Sequence, residues 1–182
     1  MKVEVHPTRN FAIKSICPFE KKILKQLDDE FSQLNIEISN QSAADLISRT
    51  FVALALRSDW IQQFRFDPDI PLQRAYANYL MDAVSDDYDS ECGHHHRVSI
   101  QSCFDNRQAI GTNLLKFEVA ANKFIRGADY RILSVIICAN RDSKKALKLD
   151  NSVATFEEYV VGVRTAYRGI LTAPLVILEL AP

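Results

Sequence analysis

The fold class is decided by one short stretch, Ile132-Leu133-Ser134-Val135-Ile136-Ile137-Cys138-Ala139. Successive side chains of a strand point to opposite faces, and apolar residues occupy both faces of this stretch. A strand that is apolar on both faces lies in the middle of a sheet that helices cover on each side. The stretch therefore predicts an α/β fold with a central mixed β-sheet.

The segments around this stretch predict further strands and one more helix. Three short segments rich in Val, Ile, Leu and Phe are typical of strands, namely residues 97–104, 113–121 and 175–180. The turn-prone Gly111-Thr112-Asn113 predicts a hairpin between the first two of these strands. The capping-box spacing of Thr155 and Glu158 predicts a helix that continues to about Arg168.

The first half of the chain predicts helices instead. Apolar residues recur there at three- and four-residue steps, over residues 18–35, 43–57 and 71–84. A polar, acidic segment, Ser85 to His96, is expected to form a loop. We therefore expect a single domain over residues 1–182, in which a mainly helical N-terminal part (1–90) packs on a sheet-containing core (91–182).

Composition narrows the class of protein without naming a function. The 182 residues are 47% hydrophobic and 25% charged, which is typical of a folded protein and excludes disordered and collagen-like classes. No apolar stretch approaches the ~20 residues that cross a bilayer, so no membrane association is expected. The four cysteines are scattered without a CxxC pair, which predicts a reduced, cytoplasmic protein. The sequence has no Gly-rich phosphate loop, GxSxG elbow or HExxH pair, which leaves nucleotide-binding, α/β-hydrolase and zincin functions unsupported.

Charge is concentrated in the second half. Residues 91–148 contain 10 Lys or Arg against 5 Asp or Glu, a net charge of +5, whereas residues 1–90 have a net charge of −4. A basic segment of this kind could contact a phosphate backbone, although the cluster taken alone favours a solvated lysine-rich loop. The candidate DNA-binding residues are Arg126, Arg141, Lys144, Lys145 and Lys148.

Two acidic residues could form a metal site. Asp105 closes the 97–104 segment, and Glu118 lies within the next predicted strand. If the two strands pair, the carboxylates converge at one sheet edge, where they could hold Mg²⁺, which prefers one or two carboxylates with waters and phosphate oxygens. In a strand, Lys116 shares the face of Glu118.

The pattern resembles a known family of nucleases. Phe104-Asp105 at a strand end, followed by Phe117-Glu118-Val119-Ala120, is similar to the metal site of the PD-(D/E)xK nucleases, and within them to type II restriction endonucleases. The resemblance covers about residues 97–180. It implies a restriction-endonuclease-like core, Mg²⁺-dependent hydrolysis of phosphodiester bonds in double-stranded DNA, and usually a homodimer. Asp105 and Glu118 would then be the catalytic metal ligands.

The third position of the family motif departs from the pattern. Ala120 supplies neither a charge nor a polar atom, and Lys116 or Lys123 would have to replace the missing group. The separation of the Glu118 strand from the next strand is also short for a parallel crossover.

Two alternatives to an active nuclease follow. One is a catalytically weakened or inactive nuclease-fold module that acts in nucleic-acid or protein binding. The other is a structural role for both acids, with Asp105 as a turn residue bonded to Arg107 and Glu118 as a partner of Arg131.

Three consecutive histidines, His94-His95-His96, also suggest a metal. Consecutive residues of an extended chain point in alternate directions, whereas zinc ligands are usually spaced by two to four residues. The alternating acids before them lack the internal glycine of an EF-hand loop. We therefore expect a solvated loop, and metal binding by the Asp86–His96 segment stays open.

Overall fold

The computed structural model describes two sheets and the helices that pack on them. It covers residues 2–4, 6–14, 16–32, 35–37, 44–45, 48–49, 61–65, 80–124 and 129–182. The strands are β1 (Lys2–Glu4), β2 (His6–Ala12), β3 (Asn35–Glu37), β4 (Ile61–Arg65), β5 (Leu80–Asp89), β6 (His94–Ser102), β7 (Tyr130–Ala139) and β8 (Leu175–Ala181). The α-helices are α1 (Pro18–Phe31), α2 (Ile110–Phe124), α3 (Arg141–Ala146) and α4 (Phe156–Arg164).

The main sheet is mixed and has six strands in the order β2-β8-β7-β6-β5-β4. Strand β7 pairs in parallel with both β6 and β8, whereas the remaining pairs of this sheet are antiparallel. The predicted central stretch, Ile132–Ala139, forms most of β7 and is buried throughout. The α/β class and the mixed sheet are therefore confirmed.

Helices cover both faces of the sheet, because the alternating side chains of β7 need an apolar partner on each side. On one face, Phe31 of α1 belongs to the same core as Val135. On the other face, Phe117 of α2 and Tyr159 of α4 belong to the core around Ile136. The site described below is built mainly on this second face.

The predicted strand 113–121 is wrong, because these residues form most of helix α2. Leu114, Phe117 and Ala121 recur at helical spacing and are among its buried apolar positions. Strands β6 and β7 are parallel, so the chain must cross from one end of the sheet to the other between them, which a helix does economically. The predicted hairpin through Gly111-Thr112-Asn113 is therefore wrong as well.

The mainly helical first half is also wrong for the residues described. Strands β2, β4 and β5 of the main sheet all come from this half. The end of the predicted helix 71–84 lies in β5, and residues 71–79 lie outside the described residues. The expected loop over Ser85–His96 is instead the end of β5, a tight turn and the start of β6, with Arg97 paired to Asp86 across the strands.

The other predicted elements are confirmed with shifted ends. Strands β6 and β8 cover the predicted segments 97–104 and 175–180, and α1 ends at Phe31 instead of residue 35. Helix α4 starts after Thr155, whose N–H donates to Glu158 Oε2 at 2.8 Å. Of the predicted helix 43–57, only residues 44–45 and 48–49 are described, and they are helical.

Candidate functional site

Asp105 lies in the connection from β6 to α2, with an exposed side chain. Its Oδ2 accepts a hydrogen bond from Asn113 Nδ2 at 3.3 Å, and the same amide donates to Tyr159 Oη at 3.0 Å. The carbonyl of Asp105 also accepts from Ala154 N–H at 2.9 Å. Asp105 is therefore fixed where β6, α2 and the segment before α4 meet.

Glu118 is buried and has a different set of partners. Its carboxylate accepts hydrogen bonds from Thr172 N at 2.6 Å, Thr172 Oγ1 at 2.6 Å and Ala173 N at 2.9 Å. These contacts tie α2 to the segment that enters β8. The proposed alternative partner of Glu118, Arg131, lies instead 3.8 Å from Glu20 Oε1.

The structure does not bring the two predicted metal ligands together. Asp105 contacts α2 at Asn113, and Glu118 follows Asn113 by five residues on the same helix. Five residues of an α-helix correspond to a rise of ~7.5 Å and a rotation of ~140°. The convergence of Asp105 and Glu118 depended on a hairpin, and the helix removes it.

Ala120 likewise does not lie where strand alternation predicted. It is 2% exposed and belongs to the apolar core formed by α2, α4 and the sheet. A longer side chain at this position would enter that core and not a metal cleft.

A carboxylate that the sequence analysis did not select, Asp82 of β5, lies at the centre of a polar cluster. Asp82 Oδ2 accepts from Ser102 N at 2.6 Å, and Oδ1 accepts from Gln101 Nε2 at 3.2 Å. Burial raises the pKa of Asp82, the hydrogen bonds from Ser102 and the charge of Lys116 lower it, and the charge of Asp105 raises it further. Asp82 therefore experiences the charges of both Lys116 and Asp105.

Two features of this cluster bear on its chemistry. Lys116 of α2 is 9% exposed, and its positive charge lowers the pKa of Asp82. Gln101 Oε1 is buried and accepts no hydrogen bond from the residues that the structure describes. A buried oxygen without a donor is costly, and a cation or an ordered water is its usual partner. We call Asp82, Gln101, Asp105 and Lys116 the polar cluster.

The predicted basic residues of the 141–148 segment do come together. They line a cleft of about 570 Å³ together with Arg107, a residue that the sequence analysis had not assigned to binding. The basic residues of this cleft are Arg107, Arg141, Lys144, Lys145 and Lys148. We call it the basic cleft; Glu158 is the one acidic residue among its lining residues and is paired with Arg107.

One lysine of the basic cleft is held in place by the backbone. Lys144 Nζ donates to the carbonyls of Asn151 at 2.7 Å and Val153 at 2.6 Å. Burial lowers the pKa of Lys144, and the positive charge of Arg107 lowers it further. Lys145 and Lys148 are exposed, so their charges are available to an anion.

Two predicted residues cannot be compared with this arrangement. Lys123 lies in α2, and its side chain is outside the described residues. Arg126 lies entirely outside them.

Comparisons with known proteins add no assignment to this geometry. No protein-family model matches the chain, and a search of curated proteins finds no match either. Within the residues that the structure describes, no helix combines the length and the apolar character needed to cross a membrane.

Proposed function

We propose that the chain binds DNA and hydrolyses its phosphodiester bonds with Mg²⁺, using the polar cluster as the active site. The observation that carries this proposal is the position of two interacting acids and a buried lysine next to the basic cleft. Asp105 and Arg107 are two residues apart, and the carbonyl of Asp105 bonds to Ala154, the neighbour of the cleft residue Thr155. A phosphate in the cleft would therefore lie near the acids.

The oxygen donors of the polar cluster fit Mg²⁺. The cation takes one or two carboxylates with waters and phosphate oxygens, and Asp82 and Asp105 are such carboxylates. Gln101 Oε1 is a buried oxygen without a donor among the described residues. These three residues would hold the ion, which when bound polarises the scissile phosphate and lowers the pKa of an attacking water.

The residues of the polar cluster also follow the order of the PD-(D/E)xK family pattern. In the family pattern an acid precedes a strand that carries the second metal ligand, and a helix and an apolar strand follow. Asp82 on β5, Gln101 on β6, α2 and β7 follow that order. Cys103 then occupies the third motif position, and Lys116 of α2 supplies the positive charge that Cys103 lacks.

The side chains of the site would divide the work. Lys116 would stabilise negative charge that develops on the phosphate, which is the largest catalytic contribution in many hydrolytic sites. Arg107, held by Glu158, and the lysines of the basic cleft would bind the phosphates on either side of the scissile bond. Cutting both strands of a duplex requires two such sites. We therefore propose, more specifically, a type II restriction endonuclease that acts as a homodimer in the cytoplasm.

Cleavage assays on two variants test this assignment. Asp82→Asn should abolish Mg²⁺-dependent plasmid cleavage but keep the fold, because a flipped Gln101 amide can accept from the new amide group. Glu118→Gln should melt at a lower temperature yet still cleave, because the Glu118 carboxylate accepts hydrogen bonds from Thr172 and Ala173, in the segment that enters β8. Loss of cleavage in Glu118→Gln with an unchanged melting temperature would favour Glu118 and Asp105 as the metal ligands and refute the assignment of Asp82.

A non-catalytic nucleic-acid-binding module is the second candidate. Cys103 favours it, because this fully buried thiol provides no charge at the third motif position. In that case the wild-type protein should bind duplex DNA in a salt-dependent manner and leave it uncut at every Mg²⁺ concentration.

A further inference from the structure

A second cluster of potential metal ligands lies at the turn between β5 and β6, at the opposite end of β5 from Asp82. Asp89, Cys92 and His96 each offer one ligand atom, and these three atoms lie within 4.8 Å of one another. Cys92 Sγ and His96 Nε2 are 3.0 Å apart. The spacings Asp-x₂-Cys and Cys-x₃-His fall in the range that zinc sites use.

The turn brings these residues together. Gly93 N–H donates to the carbonyl of Asp89 at 2.8 Å, and Gly93 adopts a φ of +71°, which favours glycine. The chain reverses within Ser90–Gly93 and returns as β6. Cys92 in the turn and His96 two residues into the new strand are thereby presented on the same side.

Strand alternation separates His95 from His94 and His96. His95 points to the opposite face, where its ring stacks on Tyr130 with centroids 5.0 Å apart. His96 is 1% exposed, and its ring centroid lies 4.4 Å from that of Phe19 in α1. On the other face, which His94 shares by alternation, His96 packs its ring against α1.

The N-terminus of helix α1 adds two further potential metal ligands. Cys17 Sγ, the Glu20 carboxylate and a ring nitrogen of His96 also lie within 4.8 Å of one another. Cys17 is the N-cap of α1, a position that Ser, Thr, Asp or Asn usually occupies. Its Sγ accepts a hydrogen bond from Glu20 N–H at 3.5 Å, an ordinary distance for a sulfur acceptor, so the cap holds this thiol close to His96.

The second nitrogen of His96 has the environment expected around a metal-bound histidine. His96 Nδ1 is buried without a hydrogen bond from the described residues, and it lies 3.8 Å from Glu20 Oε1. Metal-bound histidines usually donate their free N–H to a carboxylate, which fixes the ring. Glu20, which also faces Arg131, would become the outer partner of His96 if the two groups moved within hydrogen-bond distance.

We propose that Cys17, Asp89, Cys92 and His96 bind one Zn²⁺ ion, with His96 coordinating through Nε2 and Glu20 orienting it. Two thiols and an imidazole select zinc over Mg²⁺, and four protein ligands define a structural site. In a tetrahedral zinc site, sulfur and nitrogen ligands lie ~3.5 Å apart, so the 3.0 Å contact needs to open by only about 0.5 Å. The ion would join the tip of the β5–β6 hairpin to α1.

Metal content and cobalt spectroscopy test the proposal on the whole chain. The reduced wild-type protein, dialysed against Zn²⁺ and then metal-free buffer, should retain one zinc per chain and melt at a higher temperature than after chelator treatment. Co²⁺ should give the intense thiolate absorption and visible bands of a tetrahedral site. A wild-type protein that retains no zinc and gives no such spectrum would overturn the proposal without any variant.

Paired variants identify the ligands. His96→Gln and Cys92→Ala should lose the tetrahedral spectrum, whereas His95→Gln and the buried-core variant Cys138→Ala should keep it. Cys17→Ser should roughly halve the thiolate band, because one of two thiolates is removed. An unchanged cobalt spectrum in Cys17→Ser or in His96→Gln would contradict the assignment.

The variant Glu20→Gln tests whether Glu20 orients His96 or only caps helix α1. Glutamine also forms a capping box, so α1 should remain intact. Zinc affinity should nevertheless fall by about 10–100-fold, as is typical when the outer partner of a metal-bound histidine is changed. Wild-type affinity in this variant would refute the role given to Glu20. None of these measurements depends on DNA cleavage.

Discussion

Replacing Lys145 and Lys148 together by glutamine tests whether the basic cleft binds phosphates. Both lysines line the cleft and are exposed, so the change removes two charges without emptying the core. Lys144 is left in place, because its ammonium group bonds to two carbonyls and its loss would disturb the segment before α4. The double variant should fold as the wild type does.

The expected magnitude follows from the number of charges removed. Each duplex phosphate that a lysine neutralises contributes ~0.9 to the slope of log K against log salt, so two lysines contribute ~1.8. Between 50 and 200 mM salt, a slope of this size corresponds to about a 12-fold change in the binding constant. The wild-type affinity should therefore fall ~12-fold more than that of the variant over this range.

Fluorescence anisotropy with a labelled duplex, in Mg²⁺-free buffer at several salt concentrations, measures both slopes. The matched control is Lys21→Gln with Lys22→Gln, which removes two exposed charges from α1, outside the cleft. The control should keep the wild-type slope. Equal slopes for wild type and cleft variant would refute phosphate binding by the cleft, and an equal loss in the control would assign the effect to net charge.

Three further predictions concern stability and assembly. Because the pKa of Asp82 is raised, the folded protein binds the carboxyl proton of Asp82 more tightly than the unfolded chain does. The free energy of unfolding should therefore fall as pH rises from the unfolded pKa of ~3.9 through the folded pKa. Urea unfolding should show this dependence in the wild type and not in Asp82→Asn. Glu118→Ala leaves the N–H groups of Thr172 and Ala173 without their acceptor, at about 1–3 kcal/mol each, and urea unfolding should show a loss of that order; a loss below 1 kcal/mol would contradict the assigned contacts. Sedimentation should show a homodimer at micromolar concentration with duplex DNA, and a monomer under all conditions would contradict paired cleavage sites.

The sequence predicted the elements whose signal is local. The apolar stretch of β7 and the capping box of α4 needed no information from distant residues. Helix α2 was misassigned because its apolar residues fit a strand as well as a helix, and only the parallel pairing of β6 with β7 decides between them. In β5, Leu80 and Val84 have helical spacing, but pairing with β4 and β6 makes the segment a strand.

The candidate site likewise contains some residues with a local sequence signal and others that only the fold brings together. The lysines of the basic cleft are neighbours in the chain, so their charge was visible, whereas Arg107 joins them from 34 residues before Arg141. Asp82 meets Asp105 and Lys116 only through the sheet and α2, which a single sequence does not reveal. The sequence signal that could have pointed to Asp82 was its position as an aspartate within the apolar run Leu80–Val84.

The position of β8 between β2 and β7 has a consequence for synthesis on the ribosome. Strand β2 ends at Ala12, and its sheet partner begins at Leu175, 163 residues later. At ~5–20 residues per second, translation leaves β2 without that partner for about 8–33 s. Over the last 36 residues of this interval, after β7 ends at Ala139, the edge of β7 that later receives β8 is also unpaired, and unpaired strands are templates for association with other chains. The nascent protein is therefore most exposed to aggregation just before its last strand emerges.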